Sequence, residues 1–316
     1  MTGFDQLLWL IVPAITILSS AIMRRLRGKP LLIAAIAMTV LLVGTWLTTE
    51  RWLGVLAFLA LAGGLIASRK VSRRWQANAA LAVVAAIPAL TCLTVLAVVA
   101  PNSDAFGNVT DHGPRTQNTV AITFDDGPDP TWTPQIETIL DNAGVKGTFF
   151  EVGSAVEAHP DVVQSLVSNG HEIANHSYSH GAWDWLSLSY HEGSEAEAAF
   201  QATVGLCPAF FRPPHGSKSP MLLKSISDMG LNTVTWDVTG HDWQIDDPEE
   251  VARQILDAVK PGSIILLHDA IAGTSSDRSV VVKALPLILS GLKAKGLTPV
   301  RLDQLLSTPA YLPQCQ

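Results

Sequence analysis

The chain changes its hydrophobic pattern at about residue 100. Before that point apolar residues run almost unbroken over 6–23, 31–48, 52–67 and 80–100. Most of these runs approach the roughly 20 residues that a membrane-crossing helix needs, the third being short. Four in series leave no polar face for water, so they predict an all-α transmembrane region of about four helices. Beyond it, short apolar or β-rich runs recur at 119–124, 147–153, 172–176, 209–212, 232–238, 263–268 and 298–301. Helix-like stretches at 131–143, 155–169, 194–204, 219–229, 248–259 and 280–295 lie between most of them. Asp247-Pro248-Glu249-Glu250 reads as a helix start, with a capping Asp, Pro at the first position and acids in the first turn. Strands alternating with helices predict a parallel α/β sheet. About seven repeats suit barrel-like closure, with chemistry at the carboxyl ends of the strands. An open doubly wound sheet places ligands at the same ends, so position alone does not choose between them.

These patterns predict a transmembrane region at 1–100, a polar linker punctuated by Gly and Pro at 101–118, a catalytic domain at 119–305 and a C-terminal tail at 306–316. Charge sharpens the division. Nine of the 21 Lys and Arg but only two of the 28 Asp and Glu precede residue 101, and all nine histidines follow residue 100. The second half is therefore acidic, which argues against a nucleic-acid partner. Arg24, Arg25, Arg27 and Lys29 lie between the first two runs; Arg69, Lys70, Arg73 and Arg74 lie between the last two. The positive-inside rule then makes both loops cytoplasmic and the catalytic half extracytoplasmic, in a multi-pass cell-membrane protein. The start Met1-Thr2-Gly3-Phe4-Asp5 lacks the basic residues of a cleaved signal peptide. Of the three cysteines, Cys92 falls in the fourth run. Cys207 and Cys315 are the pair that an oxidising compartment would allow to bridge, although spacing cannot show proximity.

The chemistry concentrates just after the strands. The run Val120-Ala121-Ile122 leads into Thr123-Phe124-Asp125-Asp126-Gly127-Pro128, and about fifty residues later comes His176-Ser177-Tyr178-Ser179-His180. Successive side chains at a strand end point different ways, so one Asp can hold a metal while its neighbour faces a substrate. Two histidines four residues apart converge on one ion if the chain between them turns helically. Carboxylate and imidazole without thiolate suit zinc, cobalt or manganese, zinc first. No glycine-rich nucleotide pattern is present. Arg212 before Pro213-Pro214, the pair Asp242-Trp243 and His268 at the end of Ile264-Ile265-Leu266-Leu267 complete the set.

Taken in order, five motifs over roughly residues 118–305 resemble those of the NodB-type polysaccharide deacetylases, carbohydrate esterase family 4. They are Thr123–Pro128, His176–His180, Phe211-Arg212-Pro213-Pro214-His215-Gly216, Asp242-Trp243 and Leu266-Leu267-His268. The resemblance implies a distorted (β/α) barrel and hydrolysis of N-acetyl groups from a GlcNAc-containing envelope polysaccharide, peptidoglycan first. It implies a metal on Asp126, His176 and His180, with Asp125 as general base oriented by Arg212. His268 would be the general acid, kept charged by Asp242. The backbone N–H of His215 would face the oxyanion, and Trp243 and Leu266 would line the acetyl pocket. Two positions depart from the family pattern: His215 stands where Tyr is usual, and Thr239 where an acid often precedes the Asp-Trp pair. Trp183 and Trp185 could stack on sugar rings or pack their loop. An O-acetyl esterase, a small-amide hydrolase and a catalytically silent glycan-binding protein remain as other readings.

Overall fold

The computed structural model describes residue 94 and residues 97–187, 189–272 and 277–315. Eight strands form one sheet: β1 (Thr119–Asp125), β2 (Thr148–Glu151), β3 (Glu172–Asn175), β4 (Phe210–Phe211), β5 (Asn232–Thr233), β6 (Val238–Thr239), β7 (Ile264–His268) and β8 (Thr298–Val300). Every pairing is parallel, in the order β5-β4-β3-β2-β1-β7-β6, and β8 joins the first residues of β1. The end strands β5 and β6 are not hydrogen-bonded to each other, so the barrel stays open there. The helices are α1 (Thr133–Asn142), α2 (Gly153–Ala158), α3 (Pro160–Ser168), α4 (Glu192–Val204), α5 (Pro220–Asp228), α6 (Pro248–Ala258), α7 (Ser279–Ala294) and α8 (Leu302–Leu306).

Alternation along the strands builds two layers. Ile122, Phe124, Phe149, Ile173, Ile265 and Leu267 pack outward against apolar stripes such as Ile136 and Leu140 of α1 and Val251 and Ile255 of α6. Ala121, Phe150, Ala174, Phe210 and Ile264 face the other way and form a smaller core with Leu302 and Leu305 of α8. The predicted helix start holds: the Asp247 carboxylate accepts from the N–H groups of Glu249 and Glu250. The single helix expected at 155–169 is two, because Pro160 cannot donate into a continuous helix and starts α3 afresh.

The segment expected as a linker at 101–118 is stitched to the sheet. Thr110 pairs with Val234 beyond β5, and His112 with Ser263 before β7. The fully buried Lys218 ammonium donates to the Ala100 carbonyl at 2.6 Å and the Pro101 carbonyl at 3.3 Å. At the other end, Tyr311 bridges to Pro208, and Cys207 and Cys315 form a disulfide closing a separation of 108 residues. A loop of that length restricts the unfolded chain strongly, so Cys315→Ser should lose about 2–5 kcal/mol of stability in urea titrations under oxidising conditions. An unchanged midpoint would show that the tail is held by its pairing alone.

The membrane placement needs correction. Apart from residue 94 and residues 97–100, the four apolar runs lie outside the described residues. Among the described residues no helix is long and apolar enough to cross a membrane. The longest, α7, has 16 residues and presents its apolar side to the core. The expected multi-pass, extracytoplasmic localisation does not stand on this structure.

Candidate active site

Four strand ends and the loops after them converge on one region. β1 delivers Asp125 and Asp126, β3 leads to His176 and His180, β4 leads to Arg212, and β7 ends in His268. Among the described residues six non-glycine residues have positive φ. Four of them lie on these loops, Asp126 (80°), Ser177 (69°), His180 (55°) and His215 (57°), and a fifth, His241 (53°), lies on the loop after β6. Left-handed backbone at non-glycine residues costs of order 1–3 kcal/mol each. Packing around the site sustains that cost in order to aim the side chains.

Oδ1 of Asp126 lies 3.3 Å from His176 Nε2 and 3.0 Å from His180 Nε2. His176 Nδ1 is 2.8 Å from the Arg212 carbonyl, which can only accept, so Nδ1 carries the proton and Nε2 is presented to the pocket. The three donor atoms lie within 4.8 Å of one another. One carboxylate and two imidazoles in a partly open pocket fit a divalent ion with further coordination positions left for water and substrate. Burial alone would raise Asp126, but the His180 charge and contacts from His176 and His180 hold it well below the usual carboxylate range.

Asp125 points inside the barrel. Its Oδ1 accepts from Arg212 Nη1 at 2.5 Å, and its Oδ2 faces His176 Nε2 at 3.6 Å. One oxygen is thus anchored while the other opens to the ligand set. Arg212 is fully buried and ties the chain just after β5 to the end of β1. Nη1 also donates to Thr123 Oγ1, Nη2 to the Thr235 carbonyl at 3.0 Å and Nε to the Val234 carbonyl at 3.4 Å. The guanidinium stacks 3.9 Å from the Phe150 ring centroid.

Across the pocket, His268 Nδ1 lies 3.1 Å from Oδ1 of the buried Asp242. Burial would lower this imidazole, but the Asp242 charge and hydrogen bond, helped by Asp126 and Asp125, raise it to about 9. Trp243 packs edge-on to His268 with centroids 5.0 Å apart, and Leu266 is buried two residues earlier on β7. The exposed His215 sits edge-on to His180 at 4.6 Å. Trp185 joins an apolar cluster with Tyr190, Phe211 and Leu222, whereas Trp183 is 53% exposed. Thr239 accepts from the His241 N–H through its hydroxyl.

Sequence reasoning missed Arg278, whose Nη1 reaches Asp242 Oδ2 at 3.4 Å from just before α7. It also missed Glu151 and Asp269, two buried carboxyls behind the Asp125-Asp126 turn. Arg278 sits in no motif, and only the three-dimensional approach of its loop shows its partner. The two acids carried a faint signal, since each is an acid at the end of an apolar strand.

An open parallel (β/α) barrel thus gathers in one pocket an Asp-His-His set that could hold a metal, an Arg-held carboxylate and an Asp-held imidazole, groups suited to hydrolysis. The family model for polysaccharide deacetylase matches residues 112–234. A peptidoglycan-N-acetylglucosamine deacetylase of Bacillus cereus is 36% identical over 207 residues, covering 63% of this chain and 93% of the relative. A chitooligosaccharide deacetylase of Azorhizobium caulinodans is 32% identical over 197 residues, covering 58% and 91%. The crystal structure of the Bc1960 peptidoglycan N-acetylglucosamine deacetylase superposes with a TM-score of 0.59 at 32% identity, covering 64% of this chain and 94% of that one. The chain belongs to the polysaccharide deacetylase family and is a hydrolase of that class.

Proposed function

We propose that the protein removes N-acetyl groups from a GlcNAc-containing polysaccharide, peptidoglycan first, releasing acetate and leaving a free amine. The observation that carries this reading is the meeting of Asp125, Asp126, His176, His180 and His268 in one pocket. The substrate preference follows the Bacillus cereus relative, with chitooligosaccharide as the nearest variant.

Asp126, His176 and His180 would hold a divalent ion, zinc first with cobalt or manganese next. When bound, that ion would supply Lewis acidity toward the acetamide oxygen and acidify the attacking water. The free oxygen of Asp125 takes the water's proton, while Arg212 fixes the other oxygen and so the direction of approach. The backbone N–H of His215 is the proposed donor to the developing oxyanion. Trp243 and Leu266 exclude water around the acetyl methyl. His268, charged at neutral pH, passes its proton to the departing nitrogen, and Asp242 holds the ring through Nδ1 with Nε2 toward the substrate.

The test uses the full chain with a GlcNAc oligomer and with peptidoglycan, measuring acetate and free amine with added zinc and with chelator. Release of both products, lost on chelation, supports the reading. Acetate without new amine would reassign the reaction to O-acetyl esters. A zinc-loaded, folded chain that releases neither product from either glycan would refute it.

A pH dependence follows from His268. Its raised value means that the acid is present at low and neutral pH and is lost as pH rises toward about 9. A bound cation pulls that limit downward. Asp242→Asn removes the largest stabiliser of the charged ring, so the alkaline limb of kcat/KM should move down by about one pH unit or more. An unmoved limb would show that another group sets it.

A further inference from the structure

The two residues assigned above to the acetyl methyl are held unequally. Leu266 is buried within β7. Trp243 is half-buried and stands outside any strand, on the loop between β6 and α6. Two imidazoles touch its ring. His268 meets it edge-on at 5.0 Å, and His241 meets it at 5.3 Å with the planes inclined by 51°. Both separations fall in the range where aromatic rings attract each other.

His241 is exposed, yet its backbone is left-handed, with φ of 53°. Such a conformation persists where the surroundings over-determine it. The His241 N–H donates to Thr239 Oγ1 at 3.2 Å, and its carbonyl accepts from the N–H groups of Gln244 at 2.8 Å and Ile245 at 3.0 Å. Gly240 lets the loop lie down on α6, since a Cβ there would come within 2.8 Å of both Cγ1 and the carbonyl oxygen of Val251.

The ring is fastened as well. His241 Nδ1 lies 2.9 Å from Gln254 Oε1 on α6. Gln254 Nε2 donates to Glu250 Oε1 at 2.8 Å. Arg253 grips both oxygens of Glu250, Nε on Oε2 at 2.8 Å and Nη2 on Oε1 at 2.6 Å. The Gln254 amide nitrogen is thus committed to Glu250, which leaves its oxygen for the imidazole. His241 Nδ1 therefore carries the proton and donates it. His268 is tied through Nδ1 to Asp242 on the loop itself, and His241 through Nδ1 to α6.

We propose that His241 is a specificity-determining residue: fastened to Gln254, it braces Trp243 so that the acyl pocket fits acetyl and rejects longer acyl groups. The inference deepens the deacetylase reading and rests on it, because Trp243 bears on turnover only as a wall of that pocket. A wall held in place makes one extra methylene worth roughly 10–200-fold in kcat/KM. A wall free to swing admits it at little cost. The brace moves no proton and touches no metal ligand, so it acts on the choice of acyl group.

The test compares kcat/KM of the full chain on a GlcNAc tetramer and on its N-propionyl counterpart. His241→Asn keeps the left-handed backbone, which asparagine tolerates, and removes the ring. It should shrink the acetyl-to-propionyl ratio by about fivefold or more, with zinc affinity within about twofold of wild type. Gln254→Leu removes the fastening and leaves the imidazole, so the ratio should fall by about two- to threefold. An unchanged ratio in His241→Asn, or equal losses on both substrates, would overturn the proposal. A second readout needs no turnover. In protein carrying 5-fluorotryptophan, the Trp243 fluorine resonance, assigned through Trp243→Phe, should shift and broaden in His241→Asn; an unmoved resonance would overturn the brace. A wild type that releases acetate with a selectivity indifferent to His241 refutes the brace alone. A zinc-loaded wild type that releases none refutes the deacetylase reading, and the fluorine spectra then decide the brace.

Discussion

Asp125→Asn should lower kcat by about a thousandfold or more while leaving zinc affinity within a few-fold of wild type. The amide oxygen still accepts from Arg212, so the side chain keeps its place in the barrel. What it loses is the ability to take a proton through the oxygen that faces His176. General-base catalysis contributes typically 10²–10⁴-fold, which sets the scale. The ligand set, Asp126 with His176 and His180, is untouched. The measurement is a pair: kcat on a GlcNAc oligomer and zinc titration by calorimetry. A variant with normal kcat would remove Asp125 from the role of base. A variant that loses zinc as well would move it into the ligand set.

Arg212→Met should cost about 3–5 kcal/mol in urea-induced unfolding and abolish detectable turnover. Methionine roughly fills the volume, but the change leaves the nearly fully buried Asp125 without its counter-charge. It also strips the Val234 and Thr235 carbonyls and Thr123 of a donor at the break in the sheet. The double variant with Asp125→Asn should recover part of the lost stability, because the uncompensated charge is then gone, and none of the activity. If the two single costs simply add, the Arg212–Asp125 pair is not what holds the open edge together.

The apolar strands β1, β2 and β7 were legible because each is a run of residues buried on both faces that ends in chemistry. The five motifs likewise placed Asp125, Asp126, His176, His180, Arg212, Asp242 and His268 in one neighbourhood, as the structure does. The run 232–238 misled, since it reads as one strand and is two. Its middle carbonyls, Val234 and Thr235, are bound by the Arg212 side chain in place of a neighbouring strand, and no local pattern signals that. α8 was missed because Leu302–Leu306 is a five-residue helix, too short to show a period. Apolar length predicted membrane spans, but length in the first hundred residues says nothing about the described helices, which are short and one-sided. Arg278 was invisible for a different reason. Its partner Asp242 lies 36 residues away in the chain, and charge complementarity at that distance has no sequence signature.

The strand order has a consequence for vectorial synthesis. β1 leaves the ribosome first, yet two of its three partners, β7 and β8, begin 145 and 179 residues after its own first residue. A nascent chain holding everything up to α6 would still present one edge of its central strand unpaired. Such an edge is a template for association with other chains. Truncations that end at residue 258, the end of α6, should therefore aggregate as a whole, and no shorter amino-terminal piece of the barrel should persist as a monomer.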